Sequence, residues 1–409
     1  MDIALTGPEN HLLKAQVSIT GSKSESNRLL LLGALFPGLQ IVNLSNSADT
    51  TVMQEGLRKK NGTVDIHHAG TAMRFLTAYF ASQPGTDVLL TGSQRMTERP
   101  IGILVDALRS LGADISYAKK EGFPPLHIKG RKLEGKATSL PANISSQYIS
   151  ALLLIAPSLQ HGLELELVGK ITSVPYIRMT LSLLDQLGIP NKFEGSTITV
   201  AAASSVNSKK MMVESDWSSV SYFYSIVALA EPGSALVLSS YHEKSLQGDS
   251  VLKEIYRDFG VETRFEGHSL RLMRTEQKPA EVMEYDLANA PDIAQTIAVT
   301  CFGLGLGCRL TGLHTLKIKE TDRLVALQNE LGKLGAEVEI TGDSLDLKPS
   351  AGIKADVSIA TYNDHRMAMA FAPLALKTRI QIADAGVVEK SYPDYWSDLQ
   401  ALGFGLREL

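Results

Sequence analysis

The chain has 409 residues, of which 44% are hydrophobic and 21% are charged, and its formal net charge is −4. A chain of this length exceeds the size at which one hydrophobic core keeps growing, so we expect two domains. The slight negative charge excludes a general nucleic-acid-binding protein, which would carry a basic surplus. Any basic site must therefore be local.

Cysteine usage and hydropathy favour a soluble cytoplasmic protein without metal or membrane. Cys301 and Cys308 lie in an apolar stretch, at a spacing that fits neither a metal site nor a disulfide framework, so we expect buried free thiols. Residues 1–4 show no basic region followed by an apolar run, which predicts no signal peptide. No segment approaches the 18 or so uninterrupted apolar residues of a membrane span.

A pattern of helix, glycine and strand pair recurs along the chain. Amphipathic segments end at Gly112, Gly188, Gly260 and Gly335, about 75 residues apart, and strand-like runs follow each glycine. Gly62 and Gly403 are predicted to end degenerate copies. Six units of about 70 residues, the first shortened, would account for the whole chain and predict an α/β protein built by duplication. The small, polar stretch 201–210 suggests a crossing between domains.

The predicted helix starts carry more cations than helix capping explains. Ser22 and Glu25 fit a capping box, yet Lys23 and Arg28 add positive charge where the helix field is already positive. The other cations at or beside predicted helix starts are Arg74, Arg99, Lys319, Arg323, Arg366 and Lys390. Predicted N-caps at these starts are Thr71, Thr321 and Asn363, and Thr97 with Pro100 marks a further start.

Taken singly, each of these cations also suits a solvent-exposed salt bridge. Equivalent helices of a repeat point the same way, however, so their N-termini would gather on one side of each domain. Arginine pairs bidentately with phosphate and carboxylate groups, and helix N-termini bind anions. The pattern therefore predicts a site for a multiply anionic ligand.

Six motifs, in the same order along the chain, resemble those of the 3-phosphoshikimate 1-carboxyvinyltransferase family, also called 5-enolpyruvylshikimate-3-phosphate (EPSP) synthases. They lie at residues 21–28, 69–74, 95–101, 145–147, 319–324 and 363–368. The resemblance implies a two-domain inside-out α/β barrel with three βαβαββ repeats in each domain. Residues 21–212 would form one domain, residues 1–20 and 213–409 the other, and the active site would lie in the cleft between them.

The implied reaction transfers the carboxyvinyl (enolpyruvyl) group of phosphoenolpyruvate to the 5-hydroxyl of 3-phosphoshikimate through a tetrahedral intermediate. It gives 5-enolpyruvylshikimate 3-phosphate and phosphate, in the shikimate pathway to chorismate and the aromatic amino acids. The resemblance implies a monomer with no metal or organic cofactor. Charge and hydropathy, as given above, predict a cytoplasmic protein with no nucleic-acid or membrane partner.

The resemblance also assigns residues to the two substrates. The residues implied to hold 3-phosphoshikimate are Lys23, Ser24, Arg28, Ser145, Ser146, Ser173, Asp292 and Lys319. Those implied to hold phosphoenolpyruvate are Lys23, Gly70, Arg99, Gln147, Arg323, Arg366 and Lys390, with Arg74 supporting them. Asp292 would be the base for the 5-hydroxyl, Glu320 the acid for the methylene carbon, and Lys23 would polarise the leaving phosphate.

Three residues depart from the family pattern, and two other functions stay open. His68 stands where asparagine is usual, Phe75 where proline or leucine is commoner, and Thr315 where asparagine is usual. One alternative is the UDP-N-acetylglucosamine enolpyruvyl transferase, which usually carries a reactive cysteine in the loop that corresponds to residues 91–99, where this chain has none. The other is a non-catalytic anion-binding descendant, which would gain nothing from carboxylates such as Asp292 and Glu320.

Overall fold

The computed structural model describes residues 1–10, 12–142, 145–169, 171, 174–207 and 210–409. Helices and strands alternate along the chain, which confirms the predicted α/β class. The helices are α1 (Lys23–Leu35), α2 (Ala48–Leu57), α3 (Gly70–Ser82), α4 (Gln94–Thr97), α5 (Gly102–Ser110), α6 (Ser146–Ile155), α7 (Val174–Gln186), α8 (Trp217–Leu229), α9 (Leu252–Asp258), α10 (Ala294–Gly303), α11 (Arg323–Leu334), α12 (His365–Phe371) and α13 (Tyr395–Ala401).

The strands are short, three to six residues each. They are β1 (Ile3–Thr6), β2 (Lys14–Val17), β3 (Gln40–Val42), β4 (Asn61–Asp65), β5 (Asp87–Thr91), β6 (Asp114–Tyr117), β7 (Leu126–Lys129), β8 (Ala137–Pro141), β9 (Leu163–Val168), β10 (Asn191–Glu194), β11 (Thr197–Val200), β12 (Lys210–Met212), β13 (Ala235–Ser239), β14 (Val261–Glu266), β15 (Ser269–Arg274), β16 (Val282–Asp286), β17 (Gly307–Thr311), β18 (Val338–Ile340), β19 (Leu345–Leu347), β20 (Val357–Ile359), β21 (Ile380–Ile382) and β22 (Gly405–Glu408).

The chain divides into two compact units, residues 21–213 and residues 1–20 with 214–409. We call them the N-terminal unit and the C-terminal unit. Within the described residues the N-terminal unit holds the sheets β4-β5-β7-β6, β10-β11-β9-β8 and β12-β3. The C-terminal unit holds β14-β15-β13-β2, β16-β17-β19-β18 and β20-β21-β1-β22.

Each four-stranded sheet has the same plan. It contains a parallel pair of strands and an antiparallel pair beside it. In β4, β5, β6 and β7 a helix joins the two parallel strands, and a further helix leads to an antiparallel hairpin that pairs back on the second strand. This is a βαβαββ unit, and its parallel pair needs the helical crossover that the sequence repeat supplies. In β2, β13, β14 and β15 the N-terminal unit and α8 lie between the two parallel strands along the sequence. In the last repeat the N-terminal strand β1 stands where the final strand of the hairpin would be, and it pairs antiparallel with β21 and β22.

The first repeat is shortened. It consists of the parallel pair β12 and β3 with the helices α1 and α2. After α2 ends at Leu57 the chain enters β4 of the next sheet at Asn61, so no hairpin of its own follows this helix. The missing hairpin accounts for the shortened first unit that the sequence predicts.

Glycines end the second helix of the other repeats as predicted. Gly112, Gly188, Gly260, Gly335 and Gly403 follow α5, α7, α9, α11 and α13 with φ between 76° and 104°. This left-handed conformation is open to glycine without a Cβ penalty. Gly62 was wrongly placed in this series, because it lies inside β4, where it pairs with Val88.

The first helices of the repeats form the core of each unit. In the C-terminal unit α8, α10 and α12 contact one another, and in the N-terminal unit α1, α3 and α6 do the same. Every residue of α12 is buried, and so is every residue of α8 except Ser218. A helix that is apolar on all sides belongs inside a protein, and its N-terminus is the end that can carry polar side chains. Within the described residues, no helix is long and apolar enough to span a membrane.

Several predicted caps are wrong. Asp322, not Thr321, caps α11, and Asp364, not Asn363, caps α12. Ser22 precedes α1 without a capping hydrogen bond from its side chain, so the predicted capping role of the Ser22 hydroxyl is wrong.

Two further predicted starts are displaced. Thr71 is the second residue of α3, whose N-cap is Ala69. Thr97 ends α4, and α5 begins only at Gly102.

Candidate functional site

The C-terminal unit brings six charged side chains together at the N-terminal ends of its helices. These residues, which we call the carboxylate–cation cluster, are Asp292, Lys319, Glu320, Arg323, Asp364 and Arg366. Asp292 belongs to the 3-10 helix Pro291–Ile293 that leads into α10, Arg323 opens α11, and Arg366 is in the first turn of α12.

Arg323 is the centre of the cluster. Its side chain is only 2% exposed, and it donates from Nε to Asp364 at 2.6 Å, from Nη1 to Asp292 at 2.9 Å and from Nη2 to Glu320 at 2.8 Å. A second Nη2 contact reaches Asp364 at 3.4 Å. Burial disfavours a charged guanidinium, but these three carboxylates raise the pKa of Arg323 above its ordinary value. Among the described residues, these contacts use four of its five N–H groups.

Asp292 faces three cations. Its carboxylate lies 3.3 Å from Lys319 Nζ, 2.9 Å from Arg323 Nη1 and 3.4 Å from Arg366 Nη2. Burial alone would raise the pKa of Asp292, but the positive charges of Lys319, Arg366 and Arg323 hold it well below the ordinary value of 3.8. Asp292 is therefore ionised at neutral pH.

Arg366 and Lys390 are fixed by oxygen atoms of the same unit. Arg366 Nη1 donates to the backbone oxygen of Asp292 at 3.1 Å, and its Nη2 donates to Ser218 Oγ at 3.3 Å. Lys390 Nζ donates to the backbone oxygen of Asn363 at 2.6 Å. The predicted residues of this unit are thus brought to one place, with Lys390 linked to it through the turn before α12.

In the N-terminal unit, Lys23 and Arg28 have different surroundings. Lys23 Nζ lies 3.4 Å from Asp49 at the start of α2, and both side chains keep some exposure. Arg28 is buried, and it donates to Thr180 Oγ1 at 2.8 Å, to the Ser24 backbone oxygen at 2.7 Å and to Ser150 Oγ at 3.0 Å. Burial lowers the pKa of Arg28 to about 10. Arg28 therefore ties α1 to α6 and α7.

Gly70 and Arg99 are in direct contact. A Cβ atom added at Gly70 would stand 2.7 Å from Arg99 Nη1, so any side chain at this position would displace the guanidinium. Arg74, one helical turn after Gly70, donates to the backbone oxygens of Gly70 at 3.1 Å and Pro100 at 3.2 Å. Gly70 therefore leaves room for Arg99 at the start of α3.

The start of α6 meets the start of α3. Ser145 caps α6 by accepting from the Gln147 backbone N–H at 3.4 Å, and Gln147 Nε2 donates to Thr71 Oγ1 at 3.1 Å. Ser146 is buried in the first turn. Ser173, which was predicted to bind 3-phosphoshikimate, lies outside the described residues.

The three departures from the family pattern have identifiable neighbours. His68 Nδ1 and Ser93 Oγ are hydrogen-bonded at 2.9 Å. Phe75 is fully buried, and its ring centroid lies 5.4 Å from the guanidinium carbon of Arg28, a cation–π distance. Thr315 is in the 3-10 helix His314–Ile318, and its buried hydroxyl has no hydrogen-bond partner in the described part of the chain.

Several residues of this site were not predicted from the sequence. Asp364 was not singled out, although it is fully buried against Arg323, and Asp49 and Ser218 were missed as the partners of Lys23 and Arg366. Asp364 lies two residues before Arg366, in the motif at residues 363–368, and this position was the signal in the sequence that could have indicated it. Among the described residues, no group of three or more histidine, cysteine, aspartate or glutamate side chains could hold a metal ion.

Comparison with known proteins identifies the family. The model of the EPSP synthase (3-phosphoshikimate 1-carboxyvinyltransferase) family matches residues 57–399. A 3-phosphoshikimate 1-carboxyvinyltransferase from Bacteroides fragilis is 45% identical over 97% of both chains, and one from Colwellia psychrerythraea is 35% identical over 95% of this chain and 96% of its own.

A solved structure agrees at the level of the fold. The EPSP synthase of Acinetobacter baumannii superposes with a TM-score of 0.81 over 100% of both chains, at 21% sequence identity. The chain therefore belongs to the EPSP synthase family, the 3-phosphoshikimate 1-carboxyvinyltransferases, which confirms the resemblance of its motifs.

Proposed function

We propose that the chain transfers the carboxyvinyl group of phosphoenolpyruvate to the 5-hydroxyl of 3-phosphoshikimate and releases phosphate, as a step towards chorismate and the aromatic amino acids. Family membership supports the reaction. The observation that carries the chemistry is the contact of two carboxylates, Asp292 and Glu320, with the buried Arg323. Such a pair offers both a proton acceptor and a proton donor beside groups that bind anions.

The addition step needs a base and an acid. Asp292 takes the proton of the 5-hydroxyl, whose oxygen forms a bond to C2 of phosphoenolpyruvate. Glu320, in its protonated form, gives a proton to the methylene carbon C3, which becomes a methyl group. The product of this step is a tetrahedral intermediate that still carries the phosphate.

The elimination step reverses the proton transfer at carbon. A methyl proton returns to the Glu320 carboxylate, the C2–C3 double bond forms again, and the C2–O bond to phosphate breaks with its electron pair leaving on the phosphate. The departing phosphate takes the proton that Asp292 accepted, so both carboxyl groups regain their starting states. Lys23 balances the charge on the departing phosphate, because a cation placed where negative charge develops stabilises the transition state. Lys23 contacts Asp49 and keeps 19% of its side chain exposed, so it can reach a ligand.

We take the remaining assignments from the positions that match the family motifs. Gly70, Arg99, Gln147, Arg323, Arg366 and Lys390, together with Lys23, would hold phosphoenolpyruvate. Ser24, Arg28, Ser145, Ser146, Ser173 and Lys319, together with Lys23 and Asp292, would hold 3-phosphoshikimate. Both units would then act on the same pair of substrates. The buried position of Arg28 favours a role in which it holds α1, α6 and α7 together beside the substrate. We also propose a cytoplasmic monomer that binds no nucleic acid.

The test is a phosphate-release assay with phosphoenolpyruvate and 3-phosphoshikimate. Glu320→Gln and Asp292→Asn should each lower kcat by about 100-fold or more while 3-phosphoshikimate binding, measured by calorimetry, is kept. Glu339→Gln, at an exposed strand position, is the matched control and should turn over like wild type. Circular dichroism checks that each variant is folded.

The outcomes separate the alternatives. Near-normal turnover in either carboxylate variant would contradict the acid and base assignment but not the reaction. Phosphate release with UDP-N-acetylglucosamine in place of 3-phosphoshikimate would point to the other transferase. Binding of both anions without phosphate release would identify a non-catalytic descendant.

A further inference from the structure

Asp249 is a buried carboxylate that the proposed reaction does not use. It lies in the 3-10 helix Gly248–Val251 that leads into α9, and it is 3% exposed. Its Oδ2 accepts a short hydrogen bond from Ser218 Oγ, while Oδ1 has no hydrogen-bond partner among the described residues. A carboxylate is costly to bury with one oxygen unsatisfied, so its position calls for an explanation.

A continuous chain of contacts links Asp249 to the cluster. Ser218 donates to Asp249 and accepts from Arg366 Nη2 at 3.3 Å. Arg366 in turn contacts the Asp292 carboxylate at 3.4 Å and the Asp292 backbone oxygen at 3.1 Å. The Ser218 hydroxyl thus lies between a buried carboxylate and a guanidinium assigned to phosphoenolpyruvate.

The repeat places both residues at ends of helices that carry site residues elsewhere. Ser218 is in the first turn of α8, as Arg366 is in the first turn of α12, the equivalent helix of the last repeat. Asp249 precedes α9 as Lys319 precedes α11 and Lys390 precedes α13, the equivalent helices of the following repeats. The fold therefore presents Asp249 on the same side of the unit as the cluster.

The charges that act on Asp249 come from three other elements. They are Asp292 before α10, Arg366 on α12 and Asp216, the N-cap of α8. On the following helix α9, Lys253 is paired with Glu254. Burial, followed by the negative charge of Asp292, raises the pKa of Asp249 to about 6, although Arg366 and the Ser218 hydrogen bond oppose the change.

We propose that Asp249 is a positioning residue that acts through Ser218 to hold the Arg366 guanidinium in the orientation that binds phosphoenolpyruvate. The proposal rests on the proposed function, because it assumes that Arg366 binds this substrate.

The hydroxyl of Ser218 carries the effect. Ionised Asp249 can only accept, so the Ser218 proton points to it and the oxygen lone pairs face Arg366. Protonated Asp249 can donate to Ser218, which occupies one of the two Ser218 lone pairs and releases the Ser218 proton from Asp249. The acceptor that faces Arg366 is then no longer fixed, so protonation weakens the hydrogen bond from Arg366 Nη2 to Ser218, while the contacts of Arg366 with Asp292 remain.

The test compares Ser218→Ala, Asp249→Asn and the double variant with wild type. Loss of one hydrogen bond to a charged group should raise the KM for phosphoenolpyruvate about 10-fold or more in Ser218→Ala, with a smaller change in kcat. The double variant should be no worse than Ser218→Ala, since both residues act along one path. Asp398→Asn is the matched control: this carboxyl, half-buried on α13, also has a raised pKa and also accepts from a hydroxyl, that of Tyr392.

The pH profile separates positioning from a merely structural role. In wild type the KM for phosphoenolpyruvate should rise as the pH falls through about 6. The part of this rise in KM that comes from Asp249 should be absent in Ser218→Ala and Asp249→Asn and present in Asp398→Asn. The ionisation of the substrate phosphate near this pH contributes equally to all variants and cancels in the ratio to wild type.

Several results would overturn the proposal. One is an unchanged KM in folded Ser218→Ala, and another is an additive double variant. A third is a KM for phosphoenolpyruvate that rises below about pH 6 in all variants as it does in wild type. Turnover by wild type tests the proposed function separately. If there is no turnover, calorimetry with phosphoenolpyruvate in the presence of 3-phosphoshikimate still gives the ratio of variant to wild-type affinity. If wild type neither turns over nor binds phosphoenolpyruvate, both proposals fall.

Discussion

Replacing Asp364 by asparagine tests whether the buried pair with Arg323 stabilises the C-terminal unit. Asp364 is fully buried, Arg323 is 2% exposed, and the two are joined at 2.6 Å and 3.4 Å. Asparagine has nearly the same shape and can still cap α12, where Asp364 Oδ1 accepts from the Arg366 backbone N–H at 2.9 Å. The change therefore removes the charge and one acceptor, because the amide nitrogen would face the Arg323 Nε–H, which is also a donor.

The magnitude follows from the remaining partners. Removal of one partner from a buried ion pair costs about 3–5 kcal/mol, because the other charge is left uncompensated. Arg323 keeps Asp292 at 2.9 Å and Glu320 at 2.8 Å, so its charge stays partly balanced. We therefore expect Asp364→Asn to lower the free energy of unfolding by about 3 kcal/mol, the lower end of that range.

The assay uses tryptophan fluorescence during urea unfolding at pH 7. Both tryptophans of the chain, Trp217 and Trp396, lie in the C-terminal unit, so their emission reports on this unit. The matched control is Asp356→Asn, which breaks the exposed pair with Arg379 in the same unit. Asp356 has φ of 58°, a conformation that asparagine also tolerates, so the control should change little. Equal losses in both variants would refute the reasoning.

Two other predictions use the same fluorescence assay. Gly335→Ala should destabilise by about 1 kcal/mol because φ is 104° at this helix end, whereas Gly332→Ala, inside α11 with no atom within 4 Å of the new Cβ, should stabilise by about 0.5–1 kcal/mol; the same sign for both would contradict the left-handed cap. The pKa of Asp292 is lowered on folding, so its contribution to stability is complete above the ordinary value of 3.8 and is lost as the pH falls towards the folded value. The stability difference between wild type and Asp292→Asn should therefore shrink below about pH 4, and a constant difference between about pH 5 and pH 3 would refute this.

The repeat could be predicted from the sequence because it rests on local chemistry. Gly112, Gly188, Gly260 and Gly335 all adopt the left-handed conformation that marks a helix end, and this requirement is written in single residues. The prediction for Gly62 was wrong because the residue type alone does not distinguish a glycine inside a strand from a glycine after a helix. The pairing of β1 with β21 and β22 joins opposite ends of the chain, and no local pattern indicates it.

The caps show why neighbouring polar residues mislead. At α11 and α12 the sequence offers two adjacent capping residues, Thr321 with Asp322 and Asn363 with Asp364, and the aspartate caps in both cases. Asp364 is selected by tertiary contact, since the same carboxylate must also face Arg323, which is 41 residues away. Asn363 instead takes φ of 56° and presents its backbone oxygen to Lys390.

The anionic partner of the cations was predicted only in part. The excess of cations at helix starts indicated a missing anion, and the sequence assigned that role to substrates alone. The structure supplies three carboxylates to Arg323, from Asp292, Glu320 and Asp364. Two of these contacts span 31 and 41 residues of sequence, beyond the reach of helical periodicity.

This charge balance has a consequence for the proposed reaction. Lys319, Arg323 and Arg366 match the three carboxylates in formal charge, so an arriving anion must compete with Asp292 and Glu320 for the same cations. As the anion takes over these contacts, the positive charges that depress the pKa of Asp292 are neutralised, and its basicity should rise. Substrate binding would thus release the two carboxylates from Arg323 at the moment at which the chemistry needs them for proton transfer.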